Sequence, residues 1–285
     1  MDIVHDPSAL RARCDAFRAA GERVGFVPTM GALHEGHLAL IDEARKQGAT
    51  RVVVSVFVNP LQFGPKDDYS RYPRTLPADA EACASRGVDI VFAPDKDAMY
   101  PDGFVSQVRV AKLTETLEGV FRPGHFDGVT TVVSKLFNMV GPCIAVFGRK
   151  DYQQWKVLQR MVRDFDMPIQ MVGMCTVRDE DGLAKSSRNR YLSEADRKRA
   201  LAISSGLRAA SRSFAEGERD PHVLEQKARD LIAPAFDTID YVAVADADTL
   251  QPIERVQDRA LLAVAARIGT TRLIDNFVLG EEAMP

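Results

Sequence analysis

The feature that most constrains this chain is a short apolar stretch that leads through a glycine-containing turn into two histidines. Arg23–Val27 has the character of a short strand. The residues after His37 show helical spacing of their apolar side chains, which are Leu38, Leu40, Ile41 and Ala44. His34 and His37 are therefore predicted at the turn from strand to helix. Free N–H groups and the positive end of the helix dipole attract phosphate at such a turn.

The two histidines can act on the same phosphate. They are three residues apart, so a helix turns both rings the same way, and ring N–H groups can donate to oxygens that gain charge in a transition state. Zinc binding is disfavoured because no third ligand stands at a usual spacing. A single histidine near a helix start is more often a cap or a satisfied surface group, and we interpret His5 and His125 in this way. A role in shaping the Arg122 turn is the second interpretation of His125.

Strand and helix patterns alternate through the first part of the chain. Strands are predicted at Arg23–Val27, Arg51–Val58, Val88–Phe92, Cys143–Phe147 and Ile169–Gly173, and helices from Pro7 to about Gly21, Gly36–Gln47, Pro77–Arg86, Gly128–Val140 and Tyr152–Phe165. This order predicts an α/β fold with a Rossmann-like, doubly wound parallel sheet. Ligands bind such a sheet at the carboxyl ends of its strands, where the histidine turn, Asn59–Phe63 and Gly148–Asp151 are expected to converge.

The pattern changes near residue 176. A polar loop leads into one long helix predicted over Ser193–Glu216 and a second over Pro221–Leu231. Extended runs follow at Ile239–Val244, Ala260–Ala265 and Thr271–Val278. At 285 residues the chain is long for one core. We predict a Rossmann-like domain over residues 1–176 and a smaller α+β lid domain over residues 177–285.

Composition excludes several classes of partner. The net charge is −3 with no basic tail, which disfavours a nucleic-acid partner. No apolar run has the length of a signal peptide or a membrane span, so a cytoplasmic protein without a membrane partner is expected. Cys14, Cys83, Cys143 and Cys175 form no C-x-x-C pair, and each stands in an apolar or helical context. Reduced structural thiols are the better interpretation.

The loop Lys185–Arg188 is a second chemical feature, because it places two hydroxyls between two cations. Such a loop suits a polyphosphate whose charge must be balanced. On its own it is more often a solvated helix cap. Together with the histidine turn it favours cleavage of the α,β-bond of a nucleoside triphosphate.

Further blocks make a specific resemblance. The histidine motif and five other segments look like the signature blocks of the pantoate–β-alanine ligase family, and they occur in that family's order over nearly the whole chain. They are residues 28–37, 57–63, 72–75, 121–129, 150–154 and 186–189. The resemblance implies an enzyme of the nucleotidylyltransferase superfamily that uses ATP and Mg²⁺. It would convert pantoate to pantoyl adenylate and then join it to β-alanine, giving pantothenate for the coenzyme A pathway, AMP and pyrophosphate.

The resemblance also implies residue roles and a homodimer. The catalytic residues would be His37, His34, Lys150, Ser186, Ser187 and Arg188. ATP would be bound by Met30, Gly31, Ala32, Leu33, His34, Glu35, Gly36, His37, Gly148, Arg149, Lys150, Asp151, Val177, Lys185, Ser186, Ser187 and Arg188. Substrate would be held by Gln62 and Gln154, with Asn59 and Arg122 as further contacts. Asp151 would lie near the ribose or the metal, and the metal ligands are unknown.

Two positions depart from the family pattern. Arg149 stands where the family commonly has glutamate, so a role tied to that carboxylate is in doubt, and the arginine could strengthen nucleotide binding or point outward. Lys185 stands where methionine or leucine is common, and we expect it to add a phosphate contact.

Other interpretations stay open at this stage. The chain could be a nucleotidylyltransferase that acts on another small substrate. An RNA-binding relic of a tRNA synthetase is disfavoured by the acidic balance. Gln62 could be an ordinary loop amide, and Lys150 with Asp151 an ordinary helix turn. The helix face Trp155, Leu158 and Met161 is predicted in the core, Arg197–Arg199 on a solvated face, and the loop Asn59–Pro73 as a cover that excludes water.

Overall fold

The computed structural model describes residues 1–65 and 69–281. The chain divides into two compact units by its internal contacts. The first unit is formed by Met1–Ala111, Arg122–Arg149 and Gln154–Cys175, and the second by Lys112–Phe121, Lys150–Gln153 and Thr176–Pro285. The domain boundary proposed near residue 176 stays a prediction.

The first unit is built on a parallel sheet. Its strands are β1 (Asp2–Val4), β2 (Val24–Thr29), β3 (Arg51–Val56), β4 (Ile90–Phe92), β5 (Cys143–Gly148) and β6 (Ile169–Met174). Among the described residues the order is β1-β4-β3-β2-β5-β6, and every recorded pairing is parallel. The helices along this part of the chain are α1 (Pro7–Ala19), α2 (Glu35–Lys46), α3 (Leu76–Ser85), α4 (Lys96–Met99), α5 (Glu118–Phe121), α6 (His125–Val140) and α7 (Tyr152–Asp164).

Strand order explains where a ligand can bind. From β2 the chain builds outward to β3 and β4, whereas β5 pairs with the opposite edge of β2, with Phe26 beside Ala145. The carboxyl ends of β2 and β5 therefore flank the point where the winding direction reverses, which is where doubly wound sheets bind ligands. The predicted Rossmann-like fold class is confirmed.

Apolar side chains cover both faces of this sheet. Val27, Val54 and Val91 pack with Ile41 of α2 and Cys83 of α3. On the other face Phe26 and Phe147 make edge-to-face contacts with Phe137 of α6. Burial on both faces explains why β3 is almost continuously apolar and was predictable from the sequence.

The second unit contains an antiparallel sheet covered by helices. Its strands β7 (Thr238–Ala245), β8 (Ala260–Ile268) and β9 (Thr271–Leu279) pair in chain order. The helices are α8 (Glu194–Ala200), α9 (Ala202–Ala215) and α10 (Pro221–Ile232), and their apolar residues share a core with β8 and β9. This arrangement confirms the predicted α+β character.

Three expectations need correction. The strand β1 was not predicted, because only one of its three residues is buried. The long helix expected over Ser193–Glu216 is two helices, since Leu201, with ψ of −18°, separates them. Cys175 is exposed, unlike Cys14, Cys83 and Cys143, so the expectation of a structural thiol is wrong for this residue. Lys66–Asp68, part of the predicted cover loop, lie outside the described residues.

No helix in the described part of the chain is both long enough and apolar enough to cross a bilayer.

The thiols yield a prediction about accessibility. Burial raises the pKa of Cys14 to about 11 and the pKa of Cys83 and Cys143 to about 12. Since the thiolate is the reactive form, these three should react slowly in the native protein. Titration with an aromatic disulfide reagent at pH 8 should label one thiol per chain rapidly and the rest only in denaturant. Cys175→Ser should remove the rapid phase, and a rapid phase that persists in this variant would contradict the fold described above.

Candidate functional site

A buried carboxylate holds the turn between β2 and α2. Asp79 of α3 is 3% exposed, and its carboxylate accepts the N–H groups of Ala32 at 3.1 Å and Leu33 at 2.7 Å, together with the hydroxyl of Thr75 at 3.1 Å. Ala32 has a φ of +53°, which is costly for a residue with a Cβ. The hydrogen bond from its N–H fixes this conformation immediately before the histidines.

Glycine is required at the start of the same turn. Gly31 has a φ of +79°, and a Cβ there would lie 2.9 Å from Val56 Cγ1 and 3.0 Å from Asp79 Oδ2. The absence of a side chain lets the turn pass directly over β3 and reach the Asp79 carboxylate.

The occupied N–H groups correct one part of the sequence interpretation. The N–H of Gly31 donates to Thr29 Oγ1, those of Ala32 and Leu33 donate to Asp79, and that of Gly36 donates to His34 Nδ1. The expectation that free N–H groups of this turn attract phosphate is therefore wrong for these four residues. An anion at this turn would therefore meet the histidine side chains and the helix dipole.

His34 and His37 are brought together as predicted. Their rings stack with centroids 4.1 Å apart and planes inclined by 30°. His34 is the N-cap of α2, and its Nδ1 accepts the Gly36 N–H at 3.1 Å. A ring nitrogen that accepts a hydrogen bond carries no proton, so His34 is the neutral tautomer with its proton on Nε2. That Nε2–H is a donor suited to an anionic oxygen.

Asn59 and Gln62 form a connected network after β3. Asn59 is 1% exposed, accepts the Tyr100 hydroxyl at 2.7 Å, and donates to Gln62 Oε1 at 3.0 Å and to the Gly128 carbonyl at 3.1 Å. The Gln62 amide in turn donates to Met30 Sδ at 3.1 Å. Asn59 is thus a support that orients Gln62, and Met30 links both to the histidine turn.

The backbone of Gln62 is held from a second direction. His125 Nδ1 donates to the Gln62 carbonyl at 2.9 Å, and Arg122 donates to that carbonyl at 3.3 Å and to His125 Nε2 at 3.1 Å. Gly128 allows this approach, because a Cβ there would lie 2.3 Å from the Leu61 carbonyl oxygen. His125 is therefore a buried bridge in the Arg122 turn. The interpretation of it as a surface group is wrong, and these contacts agree with the alternative that it shapes this turn.

A cavity opens beside the histidine turn. It has a volume of about 360 Å³ and is lined by Met30, Gly31, Thr75, Asp79 and residues at the ends of β3 and β4, with Arg74 and Lys96 as its cations. This size lies in the range of small-molecule sites.

The segment after β5 carries the next predicted site residues. Arg149 is 8% exposed and its guanidinium lies 5.3 Å from the centre of the Trp155 ring, so the possibility that it points outward is wrong. Lys150 Nζ lies 3.7 Å from Asp151 Oδ2, and Gln154 is half-buried in the first turn of α7. Leu158 and Met161 are fully buried, as predicted for the core face of this helix.

In the second unit, the loop Lys185–Arg188 follows a short hairpin. Lys185 donates its N–H to the Val177 carbonyl at 2.9 Å and its Nζ to Asp179 Oδ1 at 2.5 Å. Ser186 caps the 3₁₀ turn Ser187–Tyr191 and accepts the Arg188 N–H at 3.3 Å. Arg197 pairs with Asp179 and Asp181, and Arg199 pairs with Asp196 and Asp237. The prediction of a merely solvated face at Arg197–Arg199 is corrected accordingly.

Sequence reasoning missed the residues that hold the site rather than line it. Asp79 had the appearance of an acidic residue in a helix first turn, which is favourable for the helix dipole alone. Its partners lie 46 and 47 residues away along the chain, and no local pattern signals that contact. Tyr100 was missed for the same reason, since its partner Asn59 lies 41 residues away. Asp179 was missed although its partner Lys185 lies only 6 residues away.

The fold and the histidine pair place the chain in a class, and its similarity to known proteins places it in a family. The reversal point of the sheet and the stacked histidines define the class, a Rossmann-like nucleotide-binding protein. A family model described as pantoate-beta-alanine ligase matches residues 2–278, and the chain belongs to this family.

Relatives with a curated sequence or a solved structure match this chain over nearly its full length. A pantothenate synthetase from Syntrophotalea carbinolica is 51% identical over 283 residues, which cover 99% of this chain and 100% of the relative. The structure of a pantothenate synthetase from Thermus thermophilus is 46% identical with a TM-score of 0.91, covering 97% of this chain and 99% of that one.

A third relative was solved with ligands. The pantoate-beta-alanine ligase from Francisella tularensis, complexed with beta-gamma ATP and beta-alanine, is 33% identical with a TM-score of 0.80 and covers 100% of both chains.

Replacing the Asp79 carboxylate should lower both the stability of the protein and its turnover. In Asp79→Asn the amide keeps one acceptor and turns an NH₂ group toward a donor, so one buried N–H loses its partner at a cost of about 1–3 kcal/mol. Urea unfolding should show this loss, and turnover should fall because the histidines are no longer held.

Asp6→Asn is the matched control, because Asp6 is an exposed carboxylate that caps α1 through the Ala9 N–H. It should retain stability and turnover. Equal behaviour of the two variants would contradict the role assigned to Asp79.

Proposed function

We propose that this chain catalyses the ATP-dependent condensation of pantoate with β-alanine to pantothenate, through an enzyme-bound pantoyl adenylate. The observation that carries the proposal is the stacked pair His34 and His37 at the start of α2, linked through Met30 to the Gln62 amide. The placement of the pair and the amide supports a site where a carboxylate substrate meets the α-phosphate of ATP.

Gln62 and Gln154 are proposed to bind pantoate. An amide can both donate and accept, so it can hold a carboxylate and a hydroxyl without adding a charge that competes for phosphate. Gln62 has little rotational freedom left, because Asn59 and Met30 hold its amide and His125 and Arg122 hold its carbonyl. Such preorganisation favours an attack geometry over loose binding. Asn59 and Arg122 then act mainly by orienting Gln62.

The cations and hydroxyls are proposed to bind ATP. His34 donates from Nε2, and with His37 it stabilises the charge that develops as the pantoate carboxylate attacks the α-phosphorus and pyrophosphate leaves. Lys150, Lys185 and Arg188 balance phosphate charge, and Ser186 and Ser187 contribute hydroxyl donors. The remaining contacts of the predicted ATP set are Met30–Leu33, Glu35, Gly36, Gly148, Arg149, Asp151 and Val177.

Magnesium is proposed to enter with ATP. No group of three or more His, Cys, Asp or Glu that could hold a metal ion occurs within residues 1–65 and 69–281. Mg²⁺ commonly keeps several waters and binds substrate phosphates with one or two carboxylates. Asp151, whose side chain is 49% exposed, fits such a ligand. When bound, the ion would neutralise phosphate charge.

The second step needs no covalent enzyme intermediate. The uncharged amine of β-alanine attacks the acyl carbon of the adenylate, the bond to AMP breaks, and the nitrogen releases a proton as the amide forms. The main demand on the protein is to exclude water from the adenylate. The loop Asn59–Pro73 remains our candidate for this cover.

The cellular setting is also a proposal. We propose a cytoplasmic homodimer without nucleic-acid or membrane partners. The four cysteines, which form no disulfide, support a reducing compartment, and the mildly negative charge supports small-molecule partners.

Isotope exchange between pyrophosphate and ATP tests the function. Exchange should depend on pantoate, and adding β-alanine should yield AMP and an amide. His37→Ala should lower the exchange rate about 100-fold or more, the loss typical for a group that stabilises developing charge. His222→Ala, at a histidine whose side chain is 88% exposed on α10, should match wild type.

Two results would refute the proposal. Exchange that does not depend on pantoate, together with release of a dinucleotide, would favour a nucleotidylyltransferase. Retention of wild-type exchange by His37→Ala would remove the proposed phosphate role.

A further inference from the structure

Lys185 extends from a hairpin whose base is rigid. Asp179 donates its N–H to the Leu183 carbonyl at 2.8 Å, and Lys185 donates its own to Val177. Arg178 anchors the stem, because its guanidinium makes two hydrogen bonds to the Asp275 carboxylate, at 2.6 and 3.0 Å, and Asp275 is 4% exposed. The backbone that carries Lys185 is therefore fixed independently of any ligand.

Two cations share one carboxylate beside this hairpin. Asp179 accepts from Lys185 Nζ through Oδ1 at 2.5 Å and from Arg197 through Oδ2 at 2.8 Å. Although partial burial acts to raise its pKa, the hydrogen bonds from these cations hold the pKa of Asp179 below its usual value. Arg197 also contacts Asp181, so the cluster of Asp179, Asp181, Lys185 and Arg197 contains two carboxylates and two cations and has no net charge.

The arrangement leaves Lys185 able to bind an anion. An ammonium has three N–H donors, and the contact with Asp179 uses one of them. The side chain is 26% exposed, so the ammonium is neither buried nor fully mobile. The Asp179 carboxylate accepts from Arg197 as well as from Lys185, so its negative charge is shared between two cations.

We propose that Asp179 is a positioning residue for Lys185, which it presents to the phosphates of ATP in an orientation fixed before binding. This inference rests on the proposed function. Holding a flexible lysine in place removes part of the entropy lost on binding, and immobilising one such side chain corresponds to about a 3- to 10-fold change in affinity. Arg197 takes part by keeping Asp179 charge-balanced while Lys185 contacts a phosphate oxygen.

A double-mutant cycle tests the coupling. Calorimetric titration with Mg·ATP gives the Kd of wild type, Asp179→Asn, Lys185→Met and the double variant. Asp179→Asn should raise the Kd about 3- to 10-fold, whereas in the Lys185→Met background the same change should have less than a 2-fold effect. In pantoate-dependent exchange, Asp179→Asn should raise the KM for ATP with kcat nearly unchanged. If Asp179→Asn instead disrupted the hairpin in general, kcat would fall, and the effect of the substitution would persist in the Lys185→Met background.

Asp181→Asn is the matched control. Asp181 contacts Arg197 at 2.8 Å and accepts the Leu183 N–H at 3.2 Å, and it has no recorded contact with Lys185 among the described residues. The Kd of Asp181→Asn for Mg·ATP should match that of wild type.

The outcomes separate this inference from the proposed function. A coupled cycle without pantoate-dependent exchange supports the positioning role and refutes the proposed function. Normal exchange with additive effects overturns the positioning role alone. Tighter ATP binding by Asp179→Asn also overturns it, since Asp179 would then compete with phosphate. Wild type that does not bind Mg·ATP refutes both.

Discussion

The site depends on one interaction, the acceptance of two consecutive backbone N–H groups by the buried carboxylate of Asp79. Ala32 and Leu33 donate to it at 3.1 and 2.7 Å, and this fixes a left-handed conformation that few residues with a Cβ adopt. In many glycine-rich turns such amides bind phosphate instead. Because both amides are occupied by Asp79, we expect phosphate to meet His34 and His37 and not the backbone of this turn.

Side chains, and not the backbone, are proposed to perform the chemistry. His34 is locked in one neutral tautomer by the Gly36 N–H, and Gln62 is held at both its amide and its carbonyl. Donors fixed before the reaction need no reorganisation as charge develops. In the second unit, Lys185 shares this design, since its ammonium is held by Asp179 beside the loop that contains Ser186 and Arg188.

Much of this protein could be predicted from local sequence patterns. The apolar runs indicated the parallel strands, because burial on both faces leaves a strong signal, and the motif spacing placed His34 beside His37. The short edge strand β1 left no such signal. Contacts between residues far apart in sequence, such as Asp79 with Leu33 or His125 with Gln62, depend on how helices pack on the sheet. The burial of Arg149 beside Trp155 could not be predicted from its sequence neighbours either.

Nitrogen NMR of the histidine rings and backbone amides during titration with Mg·ATP distinguishes phosphate binding by the histidines from binding by the backbone. We expect large shifts at the ring nitrogens of His34 and His37, with the amide resonances of Ala32 and Leu33 nearly unmoved because both stay bonded to Asp79. Large shifts at those two amides with unperturbed imidazoles would show instead that phosphate displaces Asp79 and binds the turn through its backbone.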